Sequence, residues 1–167
     1  MRLGEICALK WADIDWEKSA VTVRRTVQRI AGKSTENNGR RTLLMIGMPK
    51  SWCSCRVIPV PEFVLSLPRE KLQSCVGKEY VFGKAWGAAD PRTIQRRFSR
   101  LAKKLVFFGA HFHTLRHPFV MCLLELGVDV KNVNVLLGHS SAWTTLDFCA
   151  HSLSEQQRTA MTLLSAC

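Results

Sequence analysis

Three short blocks in the last third of the chain bring chemistry-bearing side chains to close spacing. They are His113-Thr114-Leu115-Arg116-His117, Leu137-Gly138-His139-Ser140-Ser141 and Thr144-Thr145-Leu146-Asp147-Phe148-Cys149-Ala150-His151. In the first, His113, Arg116 and His117 fall at i, i+3 and i+4 and so share one face of a helix. Arg116 offers a planar fork matched to two phosphate oxygens. In the second, His139 follows a glycine at a helix end, where the ring can project into a cleft. The same block also reads as a C-capping glycine followed by an N-capping serine, and both readings hold at once. Together His113, Arg116 and His139 suit the gripping of a phosphodiester. Cys149 occupies the place where such a site would want a tyrosine, and the one tyrosine of the chain, Tyr80, is far away in sequence.

The elements that must position these residues are predominantly helical. Arg2 to Trp11 reads as a helix. Ala20 to Ile30, Arg41 to Met48 and Arg56 to Val60 read as three strands of one small antiparallel sheet. Pro61 starts a helix through Leu67, which Pro68 interrupts or ends. Tyr80 to Gly83 is a short apolar connector. Pro91 opens an amphipathic helix with Ile94, Phe98, Leu101 and Leu105 as its apolar stripe. Arg92, Arg96, Arg97, Arg100, Lys103 and Lys104 stand largely off that stripe, a basic face of the kind that lies along a phosphate backbone or simply faces solvent. Further helices are expected over Thr114 to Leu126 with Gly127 as cap, Val130 to Leu137, and Trp143 to Ala150. Ser154 with Gln157 makes a capping box for a last one.

Composition fits a polyanionic partner. The 167 residues make one domain, 1–167, and 24 Lys and Arg against 13 Asp and Glu leave a net charge of +11, so a polyanion is the natural partner. Arg24, Arg25, Arg40 and Arg41 add to the expected DNA-binding set. No apolar run reaches membrane-spanning length and the N-terminus lacks the apolar core of a signal peptide, which places the chain in the cytoplasm with reduced thiols. Cys53-Ser54-Cys55 lacks a second ligand pair, His113 and His117 lack a suitably spaced carboxylate, and no carboxylate cluster suits magnesium. No metal is expected.

With the boxes in hand, the chain resembles the tyrosine recombinase (phage integrase) family. Arg2-Leu3-Gly4-Glu5 with Leu9 to Asp15 is similar to its first arginine box. His113 to His117 and Leu137-Gly138-His139 are similar to its second. Pro49-Lys50-Ser51 through Pro61 resembles the hairpin that carries its catalytic lysine. The resemblance runs from Arg2 to about Gln157. It implies an α+β fold, mostly helical, with a small antiparallel three-stranded sheet. It also implies breakage and rejoining of a DNA strand by attack of a tyrosine hydroxyl on the scissile phosphate, without metal or nucleotide cofactor. By match, Arg2 and Arg116 clamp the non-bridging oxygens, and Lys50 protonates the departing 5′-oxygen. His113 acts as general acid/base, and His139 bonds a phosphate oxygen.

Several positions depart from the family pattern. Cys149 stands at the nucleophile position, and a thiol on so short a side chain falls several ångströms short of where a phenol oxygen reaches, so loss of covalent cleavage is expected. Pro118 is expected to perturb the helix holding Arg116, and Trp52 and Cys53 replace polar neighbours of the lysine. Met1 precedes Arg2 directly. The family's preceding helices and N-terminal DNA-binding domain are therefore expected to be missing, with Arg2 on a fraying terminus. The leading reading is a cleavage-deficient catalytic domain that binds duplex DNA and clamps the scissile phosphate. The alternative is a non-catalytic DNA-binding or interaction module that modulates a full-length recombinase, its terminal helix docking on a homologous or identical recombinase subunit.

Overall fold

A computed structural model of the chain describes residues 1–31, 42–48, 54–72, 75, 77–83, 87–107 and 109–138. Lys50, His139, Cys149, Arg40, Arg41, Trp52, Cys53 and the two helices expected beyond Gly138 lie outside these residues.

The described chain is α+β. Helix α1 (Leu3–Cys7) leads through a 3-10 turn at Trp11–Asp13 into strand β1 (Ile14–Asp15). Strands β2 (Ala20–Val23), β3 (Thr26–Ala31), β4 (Thr42–Gly47) and β5 (Arg56–Pro59) follow. The helices are α2 (Glu62–Leu72), α3 (Pro91–Lys104), α4 (Arg116–Glu125) and α5 (Val130–Leu137). The three-stranded antiparallel sheet runs β1-β2-β5, with Ile14 opposite Val21 and Val21 opposite Ile58. Strands β3 and β4 form a separate antiparallel ribbon with Val27 opposite Ile46.

The single strand expected over Ala20 to Ile30 is thus two, broken at Arg24-Arg25. The cause is tertiary: Asp13 is buried beside the break and takes the Arg25 guanidinium on both oxygens, at 2.7 and 2.6 Å. Val21 and Val23 stay in the first sheet, while Val27 turns into a different cluster with Cys7, Ala8 and Ala89. Helix α1 is shorter than the expected Arg2 to Trp11, because Ala8 already caps it on the carbonyls of Gly4 and Glu5.

Helix α1 lies directly on the ribbon. A Cβ at Gly4 would sit 2.5 Å from Thr26 Oγ1 and 2.6 Å from the Val27 carbonyl oxygen, so only glycine permits this approach. Pro68 does not end α2. The helix runs through it to Leu72 with Leu65 as its buried anchor, absorbing the one backbone bond that proline cannot make. In α3 the side chain of Asp90 caps the N-terminus by accepting from Arg92 N, at 2.9 Å, and Pro91 follows in the first turn. Its buried edge is Ala102 with half-buried Ile94 and Phe98, and the expected stripe residues Leu101 and Leu105 are more than half exposed. Every basic residue of the expected outer face, from Arg92 to Lys104, is exposed.

Helix α4 is preceded by a 3-10 turn over Phe112–Leu115, so His113 and Arg116 belong to two consecutive pieces rather than one helix. Pro118 lies in the first turn of α4, where backbone N–H groups have no helical acceptor, and it leaves the helix intact to Glu125. Helix α5 has the expected limits, capped by Asp129 and closed by Gly138 in the left-handed region at φ 63°. Val120 and Leu124 of α4 pack against Val133 and Leu137 of α5.

Candidate active site

The site is built on the C-terminal end of α5. A helix ends in carbonyls that have no intrahelical donor and that carry the negative end of its dipole. Three successive carbonyls there are met by three arginines. Arg56 Nε donates to the Leu136 oxygen at 2.9 Å, Arg116 Nη2 donates to the Leu137 oxygen, and Arg2 Nη2 donates to the Gly138 oxygen at 2.9 Å. The arginines come from β5, α4 and the residue just before α1. Gly138 is required twice: by its φ, and because a Cβ there would lie 2.7 Å from Arg56 Nη1.

One carboxylate answers these three cations. Glu5, 2% exposed, accepts from Arg56 Nη1 at 3.1 Å and Nη2 at 3.0 Å, from Arg2 Nη1 at 3.2 Å, and from the Arg2 backbone N–H at 2.7 Å. Burial pushes the Glu5 carboxyl up, but the bonds from Arg56 and Arg2 and the Arg56 charge outweigh it and hold it below the usual carboxylate range. Arg2 is therefore tied at four points, including Ser54 Oγ at 3.3 Å. The fraying expected of it does not occur.

Arg116 is less well satisfied. Its Nε and Nη1 are buried with no partner among the described residues. Burial, and then the charges of Arg2 and Arg56, pull its guanidinium down to about 10 despite the opposing pull of Glu5. Three cations against one anion and a helix C-terminus leave the cluster net positive. Beside it opens a cleft of about 320 Å³, lined by Arg2, Leu3, Gln95, Phe112, His113 and Arg116 among others. His113 is exposed on the rim. Among the described residues no group of His, Cys, Asp and Glu is arranged to hold a metal.

The structure therefore brings together Arg2, His113 and Arg116 of the expected set, with Gly138 immediately before His139. Arg24 is exposed and 4.0 Å from Asp13, whereas Arg25 is engaged by that carboxylate in a mainly structural pair. Sequence reasoning missed Arg56 and the role of Glu5. In the sequence Glu5 is only part of a box, and nothing local marks Arg56 as 8% exposed rather than as one more surface cation.

The fold and site define an α+β domain that gathers three arginines at one helix end beside a surface cleft. The model of the phage integrase family matches residues 1–155, and the chain belongs to that family. It is 28% identical to a tyrosine recombinase XerC-like protein of Caldanaerobacter subterraneus subsp. tengcongensis, over 99% of this chain and 46% of the relative. It is 32% identical to the tyrosine recombinase XerC of Xanthomonas axonopodis pv. citri, over 87% of this chain and 41% of that protein. The chain thus spans somewhat less than half the length of these relatives. The Tn1549 transposon integrase, solved in complex with transposon right end DNA, superposes with a TM-score of 0.77 at 25% identity, covering 99% of this chain and 55% of that one. The XerA recombinase shares the fold, with a TM-score of 0.66 over 94% of this chain and 52% of that one. Among the described residues no helix is long and apolar enough to cross a membrane.

Proposed function

We propose that residues 1–167 form one recombinase catalytic-domain unit that binds duplex DNA and grips a phosphodiester, and that is deficient in cleaving it. The observation that carries the reading is the pairing of Arg2 and Arg116 on the last carbonyls of α5, with two Arg116 donors unpartnered among the described residues beside an open cleft. Unpaired buried donors are costly, and two phosphate oxygens satisfy a guanidinium fork and neutralise part of the surplus charge. In this reading Arg2 and Arg116 take the non-bridging oxygens, where charge grows as phosphorus becomes pentavalent. His113 lies at the rim for proton transfer with the attacking group, Lys50 delivers a proton to the leaving 5′-oxygen, and His139 adds a bond to phosphate. The exposed basic face of α3 runs along the backbone, with Arg24, Arg40 and Arg41 contributing further phosphate contacts. Cys149 in place of the tyrosine leaves the grip without its attacking group.

The test is incubation with a nicked duplex whose cleavage traps the covalent intermediate. The chain as it stands is expected to bind the duplex and give no covalent adduct, while Cys149→Tyr gives one. An adduct formed by the unaltered chain refutes the deficiency, and absence of binding at moderate salt refutes the DNA reading.

A further inference from the structure

The three arginines at the end of α5 are engaged in different ways. Arg56 commits its fork to the protein. Its Nε donates to the Leu136 oxygen, its Nη1 to the Ser54 oxygen at 2.9 Å and to Glu5 Oε1 at 3.1 Å, and its Nη2 to Glu5 Oε2 at 3.0 Å. It is buried and does not line the cleft. Arg2 and Arg116 do line it, and two donors of Arg116 have no partner among the described residues.

Glu5 is the group that can close the other two to an anion. It already accepts from Arg2 Nη1 at 3.2 Å, and its charge acts on Arg116. Arg2 and Arg116 sit on neighbouring carbonyls, those of Gly138 and Leu137. A buried carboxylate needs a counter-charge. Without Arg56, the side-chain cations left to it at this helix end are Arg2 and Arg116, the two that face the cleft. An internal carboxylate on either guanidinium competes with a phosphate oxygen for the same donors.

We propose that Arg56 is a positioning residue for the phosphate grip: by holding both oxygens of Glu5 it keeps that carboxylate from neutralising Arg2 and Arg116, which stay open to an oxyanion. This rests on the phosphate-grip reading above and deepens it, because Arg56 touches no phosphate and acts on the grip through Glu5. The planar fork matters here. It fixes both carboxylate oxygens at once, whereas a single bond would leave the carboxylate free to turn toward Arg116.

The test is titration of the isotope-labelled full chain with inorganic phosphate. Binding is followed by nuclear magnetic resonance at the Arg116 Nε–H, and folding is checked by urea melts. The unaltered chain is expected to bind phosphate and shift that resonance. Arg56→Met is expected to weaken binding by about tenfold, the size of one charge-assisted hydrogen bond lost to an internal competitor. Adding Glu5→Gln to Arg56→Met removes the competitor and the second buried charge together. The double variant is expected to bind within about threefold of the unaltered chain and to melt at higher urea than Arg56→Met alone. Arg56→Gln, neutral but still able to hydrogen-bond, takes the place of Arg56→Met if that variant does not fold. A purely structural role gives the opposite order, with the double variant binding no better than the single one. If the double variant stays as weak as the single one, or if the single one binds phosphate as the unaltered chain does, the Arg56 assignment is overturned and the phosphate-grip reading stands. If the unaltered chain does not bind phosphate, the grip itself fails and the assignment falls with it.

Discussion

Replacing Glu5 with glutamine tests the central feature of the site, a single carboxylate holding two arginines in the interior. Glu5 and Arg56 are both nearly inaccessible, with side chains 1% and 5% exposed. The two carboxylate oxygens accept four hydrogen bonds. Glutamine turns one acceptor into a donor that faces the Arg56 fork and removes the only negative side chain bonded to it among the described residues. Breaking a buried pair by removing one partner costs about 3–5 kcal/mol, because the other charge stays buried. With a urea slope of about 2 kcal/mol per molar for a domain of this size, the unfolding midpoint should fall by about 2 M. The pH dependence gives a second reading. The folded carboxyl lies below its usual range, so its contribution is complete above the unfolded value of about pH 4.3 and is lost as pH falls through the folded value. The gap between the two proteins should therefore narrow on acidification below about pH 4. Glu79→Gln, which breaks the exposed pair with Lys10, is the control and should leave the midpoint almost unchanged, because a solvent-exposed pair is screened by water. A midpoint change for Glu5→Gln no larger than that of the control, or a gap independent of pH, would refute the reasoning.

Other expectations follow from the same geometry. Arg116→Met should raise the unfolding free energy by about 1 kcal/mol at neutral pH while weakening duplex binding by on the order of tenfold. The sign follows from a guanidinium pulled down to about 10: the charged form is disfavoured in the fold, and stability rises as pH climbs above about 10. Destabilisation by Arg116→Met in urea melts would contradict it. Gly138→Ala, at φ +63° and with its Cβ 2.7 Å from Arg56, should cost about 2–3 kcal/mol by thermal unfolding. Val106 adopts φ 64° after the end of α3, so Val106→Gly should stabilise by about 1 kcal/mol in the same measurement.

Much of the local architecture was legible in the sequence because its causes act within a few residues. Asp90-Pro91 announces the start of α3, Gly127 marks the end of α4, and Gly138 marks the end of α5. In each case a side-chain cap or a left-handed φ decides the matter without reference to the rest of the chain. The basic face of α3 was likewise readable from spacing. Its buried edge was not: Ala102 is inside and Leu101 is outside, because α3 packs where α1 and the 3-10 turn before α4 lie, and hydrophobicity alone does not give the direction. The break at Arg24-Arg25 was hidden for the same reason, since the buried Asp13 that draws in Arg25 belongs to another element.

The residue types of the proposed phosphate grip, Arg2, His113 and Arg116, were set by the sequence alone. Their order along the chain was enough to indicate a family. Only the tertiary structure decided how they are held. Arg2 meets Gly138 across 136 positions and Arg56 meets Leu136 across 80, so no local pattern encodes the cap of three arginines on one helix end. It exists because α5 ends in carbonyls that need donors, and because Gly4 and Gly138 let α1 and the Arg56 side chain come close enough to join Arg116 there. The buried Glu5 then balances part of the charge, while two donors of Arg116 have no partner among the described residues.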